Sequence, residues 1–412
     1  MLDPLKHIVL GDDAWLSLGG HLRARAESDD NFLGGGPGNR TDKFGLLRVQ
    51  LHADLHVFTY GRLFVEGRVA TARGRDLPGG IRAADRDDAD IQNAFVEMGG
   101  VPMGGWTWTA RVGRQELLAG RERVVSPLDW LNVRRTFQGA AIEGRGEAWS
   151  LSAFATHPVT VVPAGMNVPD VHTAFWGAQL SHAPRGQPRV TELFLLVKGT
   201  DAAGAVPAAQ RTTIGVRHLG PIPDTRFSCE IEGGAQLGAS GGNAVTAFMV
   251  VTDVTAKWKG DWAPTLGAGF DYASGTGAGA APQSGTWDQL YPLSHAFLGF
   301  ADVLGRRNVV EERVVATASP TATLTLRGSI HAFQRASTTD AAYDVTGAVL
   351  RATGASTAGD IGGEADLTAQ WRVGRHLRLD GGVARFSPGT LMRETGAASP
   401  YTWVYASVTA TF

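Results

Sequence analysis

The sequence predicts an all-β fold, a single closed antiparallel transmembrane β-barrel with 18 strands, long extracellular loops and short periplasmic turns. Three observations support this prediction: alternating apolar and polar residues, an alternation of long and short connections, and an amphipathic strand at the C-terminus. The first is clearest at 47–57, where apolar residues at odd positions alternate with Arg48, Gln50, His52, Asp54 and His56. In a strand, this period of two places all apolar side chains on one face.

The alternation recurs throughout the chain and predicts strands near 14–28, 44–58, 61–74, 90–98, 106–116, 134–145, 147–157, 172–183, 189–199, 210–218, 225–238, 244–258, 262–274, 308–318, 321–335, 362–374, 376–387 and 400–412. The longer connections always follow odd-numbered strands. This phase is typical of outer-membrane barrels whose termini both lie in the periplasm. We therefore expect 29–42, 75–89, 275–307 and 336–361 to lie outside the cell.

The last predicted strand ends at Phe412, with Val404, Ala406, Val408 and Ala410 on the same face. A soluble sheet with such an exposed edge would pair with other chains, whereas a barrel pairs this strand with the first one. We therefore interpret Phe412 as the barrel-closing C-terminal signal. An aromatic girdle at the membrane interface is predicted from aromatic residues near strand ends, Trp106, Trp108, Trp258, Trp262, Trp371, Tyr401 and Trp403. The alternative is the packing of an ordinary soluble sheet.

Composition is compatible with strands that cross a membrane. No apolar run approaches the roughly 18 residues of a transmembrane helix, and a mean hydropathy of −0.07 suits strands that alternate lipid-facing and lumen-facing residues. The net charge of −2 argues against a broadly basic nucleic-acid binder. Of the 38 basic residues only five are Lys, so the excess of Arg needs a local explanation. The single Cys229 excludes an internal disulfide.

We expect one domain over 1–412, without a boundary at the Gly-rich stretches. The N-terminus, Met1-Leu2-Asp3-Pro4, leads directly toward strand sequence and shows no signal peptide. We therefore expect the chain to be a mature form from which the leader has been removed.

Eight segments at 46–49, 62–66, 92–97, 111–117, 126–139, 272–275, 291–299 and 386–389 resemble, in order, the alginate export family of outer-membrane barrels. The resemblance implies a monomeric barrel of eighteen strands and passive passage of an acidic polysaccharide through an Arg-rich lumen. Alginate-exporting members carry a long periplasmic loop that can plug the inner mouth. Every connection on that side is predicted to be short here. This chain therefore departs from the family, and we do not expect a periplasmic loop to gate it.

Strand phase predicts which charged residues line the pore. The basic set is Arg23, Arg25, Arg48, Arg62, Arg68, Arg111, Arg211, Arg217, Arg226, Arg327 and Arg372. The acidic set is Glu27, Asp54, Glu66, Glu230, Glu232, Asp271, Glu364 and Asp366. Eleven Arg against eight carboxylates leaves an excess of three positive charges, which predicts an anion-selective channel. Guanidinium groups match carboxylates in a forked geometry and could pass a uronate polymer along. Alternatively, these Arg residues pair with lumen carboxylates and brace the wall.

Other functional classes have weaker support. His52, Asp54 and His56 share one strand face, but residues two apart in a strand are separated by about 7 Å, so a common metal ion is not expected. The acidic run Asp85, Asp87, Asp88 and Asp90 lacks the ligand spacing and Gly of an EF-hand, so we interpret it as a solvated loop rather than a Ca²⁺ site.

The sequence predicts neither a cofactor nor an active site. Ser126, Ser294 and His295 could in principle supply a nucleophile and a base, but no nucleophile-elbow motif contains them. The protein is therefore not expected to be an enzyme.

The leading hypothesis is a passive channel in the bacterial outer membrane for export of an anionic, alginate-like polysaccharide or oligosaccharide. Two alternatives remain: a general or small-carboxylate diffusion porin, and an adhesion or structural barrel with a closed lumen. Expected partners are the anionic saccharide, outer-membrane lipid, the outer-membrane assembly machinery and periplasmic secretion proteins, with no nucleic acid. We expect the protein to be a monomer.

Overall fold

The computed structural model describes residues 3–34, 41–76, 80–203, 207–352, 354 and 356–412. Within them, 18 antiparallel strands form the barrel, as the sequence predicts. They are β1 (Ala14–Asp30), β2 (Asp42–Val57), β3 (Gly61–Arg73), β4 (Asp87–Met103), β5 (Trp106–Gln115), β6 (Phe137–Arg145), β7 (Trp149–Thr160), β8 (Thr173–His182), β9 (Val190–Thr200), β10 (Ala209–Pro221), β11 (Phe227–Ser240), β12 (Asn243–Lys257), β13 (Thr265–Ala273), β14 (Val309–Ala318), β15 (Leu324–Gln334), β16 (Asp360–Val373), β17 (Leu377–Pro388) and β18 (Tyr401–Thr411).

Smaller elements lie outside this cycle. Ile8–Gly11 pairs with the start of β1, Val168–Pro169 with the end of β7, and Ala342–Tyr343 with Val349–Arg351. Asp3–Lys6 and Phe32–Gly34 form 3-10 turns, and Thr390–Thr395 forms the helix α1. Among the described residues, no helix has both the length and the apolarity needed to cross a membrane.

The barrel closes between its first and last strands. β1 pairs with β2 on one side and with β18 on the other, so no edge strand remains in this cycle. The closing seam ends at Phe412, whose N–H donates to Gly20 O and whose carbonyl accepts from Gly20 N, both at 3.1 Å. This closure satisfies the backbone groups that an open sheet would leave unpaired in lipid.

Strand boundaries agree with the sequence prediction to within three residues for every strand except β4. That strand continues past the predicted end at residue 98, because a one-residue bulge between Met98 and Val101 keeps it paired with β5. Gly100 has a φ of 78°, which costs glycine little. The predicted strand end at residue 98 is therefore five residues too early.

The connections alternate in length as predicted. The short turns are 58–60, 104–105, 146–148, 183–189, 222–226, 258–264, 319–323 and 374–376. At the other end are loops 1 to 9, at 31–41, 74–86, 116–136, 161–172, 201–208, 241–242, 274–308, 335–359 and 389–400. Loop 6 is the exception in length, because Gly241 and Gly242 both adopt positive φ and close a two-residue hairpin.

The prediction that 275–307 lies outside the cell is wrong for much of loop 7. Trp287, Leu298, Val303 and Leu304 are buried and pack with Val125 of loop 3 in the main apolar cluster of the barrel. Apolar side chains in these loops are removed from water by folding into the lumen. Loops 3 and 7 are therefore part of the barrel interior.

The predicted aromatic girdle is wrong for Tyr401 and Trp403. Both are buried on the inner face of β18, where Tyr401 donates to Asp29 Oδ1 at 2.6 Å and Trp403 Nε1 donates to Glu27 Oε2 at 2.9 Å. Their position near a strand end suggested the membrane interface, but the odd-numbered residues of β18 face the lumen. Trp262 and Trp371 remain exposed on the barrel.

Deleting Phe412 removes both hydrogen bonds of the last rung, so we expect it to lower the fraction of protein that assembles into a heat-modifiable barrel. Migration of unheated and heated outer-membrane samples on gels measures this fraction. Phe412→Tyr keeps the backbone rung and an aromatic ring, and should assemble like the wild type. Normal assembly of the deletion would show that closure does not depend on this residue.

Candidate functional site

Loop 3 is held against the inner wall of the barrel by three predicted pore-lining residues. Arg23 donates to the carbonyl oxygens of Asp129 and Leu131 at 2.8 and 2.7 Å, and Arg25 donates to that of Trp130 at 2.6 Å. Arg48 donates to the Asp129 and Leu131 carbonyls at 3.1 and 3.0 Å. These residues come from β1 and β2. They fix a turn of loop 3 beside the closing seam, a position that the sequence did not predict.

The carboxylate of Asp129 supplies the counter-charge at this contact. It lies 2.7 Å from Arg48 and 3.3 Å from Arg134. Desolvation by the surrounding protein raises the pKa of the Asp129 carboxyl, but Arg48, Arg134 and Arg23 lower it more, and the net pKa lies well below the usual range. The carboxylate therefore stays ionised wherever the channel operates near neutral pH.

Loops 3 and 7 pair with each other inside the lumen. Ser126 N donates to Tyr291 O at 2.9 Å, and Tyr291 N donates to Val124 O at 3.0 Å. Arg135 donates to Tyr291 O at 2.6 Å and to Ser126 O at 3.1 Å. Burial lowers the pKa of Arg135 to about 10, since its hydrogen bonds go to carbonyl oxygens. Loop 7 is therefore anchored through loop 3.

Apolar contacts stabilise the same pair of loops. Val124 and Val125 of loop 3, and Trp287 and Leu298 of loop 7, are almost completely buried. Full burial of one such large side chain contributes about 1.5–3 kcal/mol. Trp130 lies at the junction, stacked on His295 of loop 7 with 3.7 Å between ring centroids and covered by the Arg25 guanidinium at 4.0 Å. The two loops therefore form an ordered constriction.

Several predicted pore-lining residues form paired networks on the wall. Arg62 contacts Asp54 at 2.7 Å and Glu97 at 3.2 Å, and Glu97 also accepts from Arg111 at 2.6 Å. Arg68 pairs with Asp87 and Arg25 with Glu27, and Glu66 accepts hydrogen bonds from Gln50 and Asn93. Arg217 pairs with both Glu192 and Glu230. These contacts agree with the alternative in which the inward Arg residues pair with lumen carboxylates and brace the wall.

Loops 3 and 7 complete further networks with strand carboxylates. Arg123 of loop 3 donates to Glu230 at 2.8 Å, to Glu232 at 2.9 Å and to Asp253 at 2.9 Å. Arg306 of loop 7 pairs with Asp271 at 2.6 Å, and both side chains are fully buried. Breaking a buried pair by removing one partner typically costs about 3–5 kcal/mol. The carboxylates on β11, β12 and β13 therefore position the two loops.

Two other predicted carboxylates lie beneath loop 7. Glu364 Oε1 accepts from Ala301 N at 2.7 Å, and Asp366 accepts from Ser329 Oγ at 2.9 Å. His331 lies between Asp366, at 3.2 Å, and Glu311, at 2.6 Å. This part of the wall is a hydrogen-bonded network that sequence phasing did not reveal.

Besides Arg23, four predicted arginines form no ion pair within the described residues. Arg211 donates to Thr286 O at 2.9 Å, and Arg327 lies over the Phe300 ring at 4.9 Å. Arg372 donates to Ala322 O at 2.9 Å near the periplasmic end. Arg226 precedes β11 in a turn, with its guanidinium 5.6 Å from the Trp258 ring centre. The predicted set is thus spread from the constriction to the periplasmic mouth.

Sequence reasoning missed many charges that face the predicted ones. The carboxylates of Glu97, Asp253, Glu311 and the loop residue Asp129 each contact an Arg. The loop residues Arg121, Arg123 and Arg134 each contact a carboxylate. The excess of three positive charges counted only phased strand residues, so it does not describe the whole interior. The available signals were the Arg-rich, partly apolar sequence of loop 3 and the apolar residues of loop 7.

The acidic run is also more buried than a solvated loop would be. Asp85 lies 3.2 Å from Arg75 and 2.9 Å from Arg82, Asp87 pairs with Arg68, and Asp90 with Arg114. The interpretation as solvated loop therefore holds only for Asp88, whose partner Arg86 is also exposed. Strand β4 begins at Asp87, which places these residues against the wall.

Of the remaining residues considered as metal or catalytic groups, all but Ser294, whose buried hydroxyl has no hydrogen-bond partner among the described residues, have side-chain partners. His56 lies 3.1 Å from Asp54, and His52 lies 3.9 Å from Glu66. Ser126 donates to Glu122 at 2.6 Å, whereas His295 contacts Asp302 at 3.0 Å. In the described ranges, no cluster of three or more His, Cys, Asp or Glu side chains is suited to a metal ion.

Two polar cavities lie on the periplasmic side of the constriction. One of about 340 Å³ is lined by β5 to β8 and loop 3, including Arg111, Glu116, Ser152 and Gln179. The other, of about 560 Å³, lies under both loops and is lined by Arg121, Arg123, Arg313, Arg327, Glu122 and Asp253 among others. Beneath the constriction, polar groups therefore remain accessible to a solute.

The alginate export family profile matches residues 14–405. The chain belongs to the alginate export family. It is therefore a passive channel protein of the bacterial outer membrane, and both family and fold are those of channels rather than enzymes. No curated protein sequence matches the chain.

Solved structures with the same fold are outer-membrane barrels of Pseudomonas aeruginosa. OpdQ is 16% identical, with a TM-score of 0.61 over 96% of this chain and 98% of that one. OpdO is 12% identical, with a TM-score of 0.60 over 99% and 98%. OccK2 (OpdF), solved in complex with glucuronate, is 12% identical, with a TM-score of 0.60 over 96% and 98%. At these identities the likeness concerns the fold alone.

Arg48→Ala should loosen the constriction, because it removes the hydrogen bonds to two loop carbonyls and the ion pair with Asp129. We expect a larger or more fluctuating single-channel conductance in planar bilayers. Arg86→Ala is the matched control, since it removes an exposed Arg–Asp pair from loop 2 and should leave conductance unchanged. Equal conductance of Arg48→Ala and wild type would contradict the proposed anchoring of loop 3.

Proposed function

We propose that the protein is a passive channel for uronate-bearing saccharides, which pass the constriction beside Arg23, Arg25 and Arg48. The observation that carries this proposal is the cluster formed by these guanidinium groups and Arg134 around loop 3. The carboxylates in contact with the cluster are Glu27, Asp129 and Glu116. Arg23 donates only to carbonyl oxygens there, so one cationic group exceeds the local counter-charges.

The chemistry of the cluster suits repeated, weak recognition of carboxylates. Arg remains charged and offers paired N–H donors, whereas its present carbonyl partners are neutral. Arg23, Arg25 and Arg48 are almost completely buried beneath loop 3, so an anionic saccharide would sense their positive charge across the loop without displacing their hydrogen bonds. Weak sites in series favour passage over retention. Trp130 adds an apolar ring face next to Arg25.

Membership of the alginate export family supports an anionic polysaccharide or oligosaccharide as the cargo. The polar cavities under the constriction support a path that continues toward the periplasmic end, with Arg111 on one side and Arg327 on the other. The paired networks on the remaining wall support a rigid tube in which only a minority of the Arg residues contact cargo.

A second candidate is a diffusion porin for small carboxylates. The observation that favours it is the ordered packing of loops 3 and 7, which narrows the lumen for a polymer. The similar fold of OccK2 (OpdF), whose solved complex contains glucuronate, supports the same chemistry on a smaller solute. A closed adhesion barrel has no comparable supporting observation.

The double substitution Arg23→Gln with Arg25→Gln tests the cluster, because glutamine keeps N–H donors for the loop carbonyls while two charges are lost. We expect the anion preference, measured as a reversal potential across a salt gradient, to fall or reverse. We also expect transient block by oligouronates to become several-fold shorter. The preference should weaken with added salt, since the Debye length is only about 10 Å at 0.1 M.

The matched control is Arg185→Gln with Arg189→Gln, which removes two exposed charges from the turn at 183–189. It should change neither property appreciably. If the substituted channel loses its anion preference but oligouronates do not block even the wild-type channel, the small-carboxylate porin is favoured. A cation-selective wild-type channel, or block that is unchanged by the Arg23 and Arg25 substitutions, would refute the proposed path.

A further inference from the structure

The outer face of the barrel carries a groove that the channel function does not use. Five residues lie side by side on neighbouring strands: Arg73, Gly45, Ala26, Ala406 and Gly381. The strand registers pair Arg73 with Gly45, Gly45 with Ala26, Ala26 with Ala406, and Ala406 with Gly381. We call this row the outer groove. Four interstrand steps of about 4.8 Å give it a length of roughly 19 Å.

Mostly larger residues border the outer groove on both sides, except on β1, where Ser28 and Ala24 are also small. The row nearer the outer surface contains Val383, Val404, Ser28 and Lys43. The row nearer the periplasm contains Leu379, Val408, Ala24, Leu47 and Thr71. A depression of about 830 Å³ is lined by Arg73, Gly45, Ala26 and Ala406 of the middle row and by all five residues of the row nearer the periplasm. Because Gly and Ala reach less far from the sheet than Val and Leu, the middle row forms the floor.

The outer groove runs from the membrane surface toward the centre of the bilayer. Arg73 is the last residue of β3 at the loop end, and Gly45 is the fourth residue from that end of β2. Ala26 is the fifth from that end of β1, Ala406 the sixth of β18 and Gly381 the eighth of β17. Depth therefore increases steadily away from Arg73, which is the direction an acyl chain takes below its headgroup.

Two cations stand at the shallow end of the outer groove. Arg73 and Lys43 are both exposed on the lipid-facing side and lie diagonally across the β2–β3 pair, where side chains are about 7–8 Å apart. Neither forms an ion pair among the described residues. A positive headgroup site above an apolar trough complements a lipid with a phosphate-bearing headgroup.

We propose that the outer groove binds one acylated, phosphorylated lipid of the outer leaflet, with an acyl chain along Gly45, Ala26, Ala406 and Gly381 and a phosphate at Arg73 and Lys43. The bound lipid covers the seam between β18 and β1, since Ala26 and Ala406 are paired across it. Binding there holds together the two strands whose pairing closes the barrel. The site is independent of the lumen and of its cargo.

The test uses the full chain in detergent, with native mass spectrometry and added diphosphorylated lipid A as the probe. We expect one retained lipid per barrel, and much weaker retention of the dephosphorylated lipid. Arg73→Gln with Lys43→Gln should weaken retention roughly 30-fold, because each basic residue at a membrane surface contributes a several-fold factor. Arg385→Gln is the matched control, as it removes a cation from the same rim outside the groove.

Filling the groove tests the acyl contact separately. Ala26→Leu with Ala406→Leu keeps the lipid-facing surface apolar, so the barrel should fold normally while lipid retention falls. Ala365→Leu, a substitution of the same kind on the outer face of β16, is the control and should retain lipid like the wild type. No retained lipid, retention that ignores both groove and cation substitutions, or occupation of this face by a second barrel would each overturn the proposal.

Discussion

The requirement that buried backbone N–H and C=O groups find hydrogen-bond partners shapes this structure. Closure satisfies the strand backbones, but a loop that enters the lumen brings unpaired carbonyl groups with it. Here the carbonyls of Asp129, Trp130 and Leu131 are satisfied by Arg23, Arg25 and Arg48. Without these donors, loop 3 could not lie against the wall, and loop 7, which pairs with loop 3 through Tyr291, would lose its support.

This requirement also changes the meaning of the Arg-rich composition. Many inward guanidinium groups are structural, since they are matched by carboxylates on adjacent strands, as Arg62 is by Asp54 and Glu97. Others hold loops through neutral carbonyls, as Arg23 does, so no carboxylate cancels their charge and it adds to the electrostatic field at the constriction. Whether an inward Arg belongs to the first or the second kind depends on whether its partner is a carboxylate or a carbonyl group, and the strand phase does not determine this. Anion transport is therefore proposed for the cluster at loop 3 and not for every inward Arg.

The sequence was sufficient for the barrel because strand period and loop length are local properties. The eighteen strands followed from them, and so did the closing role of the last strand, where Phe412 pairs with Gly20. The interior was less predictable, because it depends on contacts between distant segments. No local pattern joins Arg48 to Asp129 or Arg123 to Glu232. Tyr401 and Trp403 were misplaced for the same reason: proximity to a strand end indicated the interface, whereas their parity and the carboxylates of β1 placed them inside.

Hydrogen exchange of the backbone amides measures the ordered constriction directly, without any substitution. In the detergent-folded barrel, the amides of Ser126 and Tyr291 should exchange slowly, in the range of the barrel strands, because each donates to a carbonyl of the other loop. Amides of loop 4 near Met166, which is exposed, should exchange rapidly. Exchange at Ser126 and Tyr291 as fast as in loop 4 would show that loops 3 and 7 do not form a constriction in the folded channel.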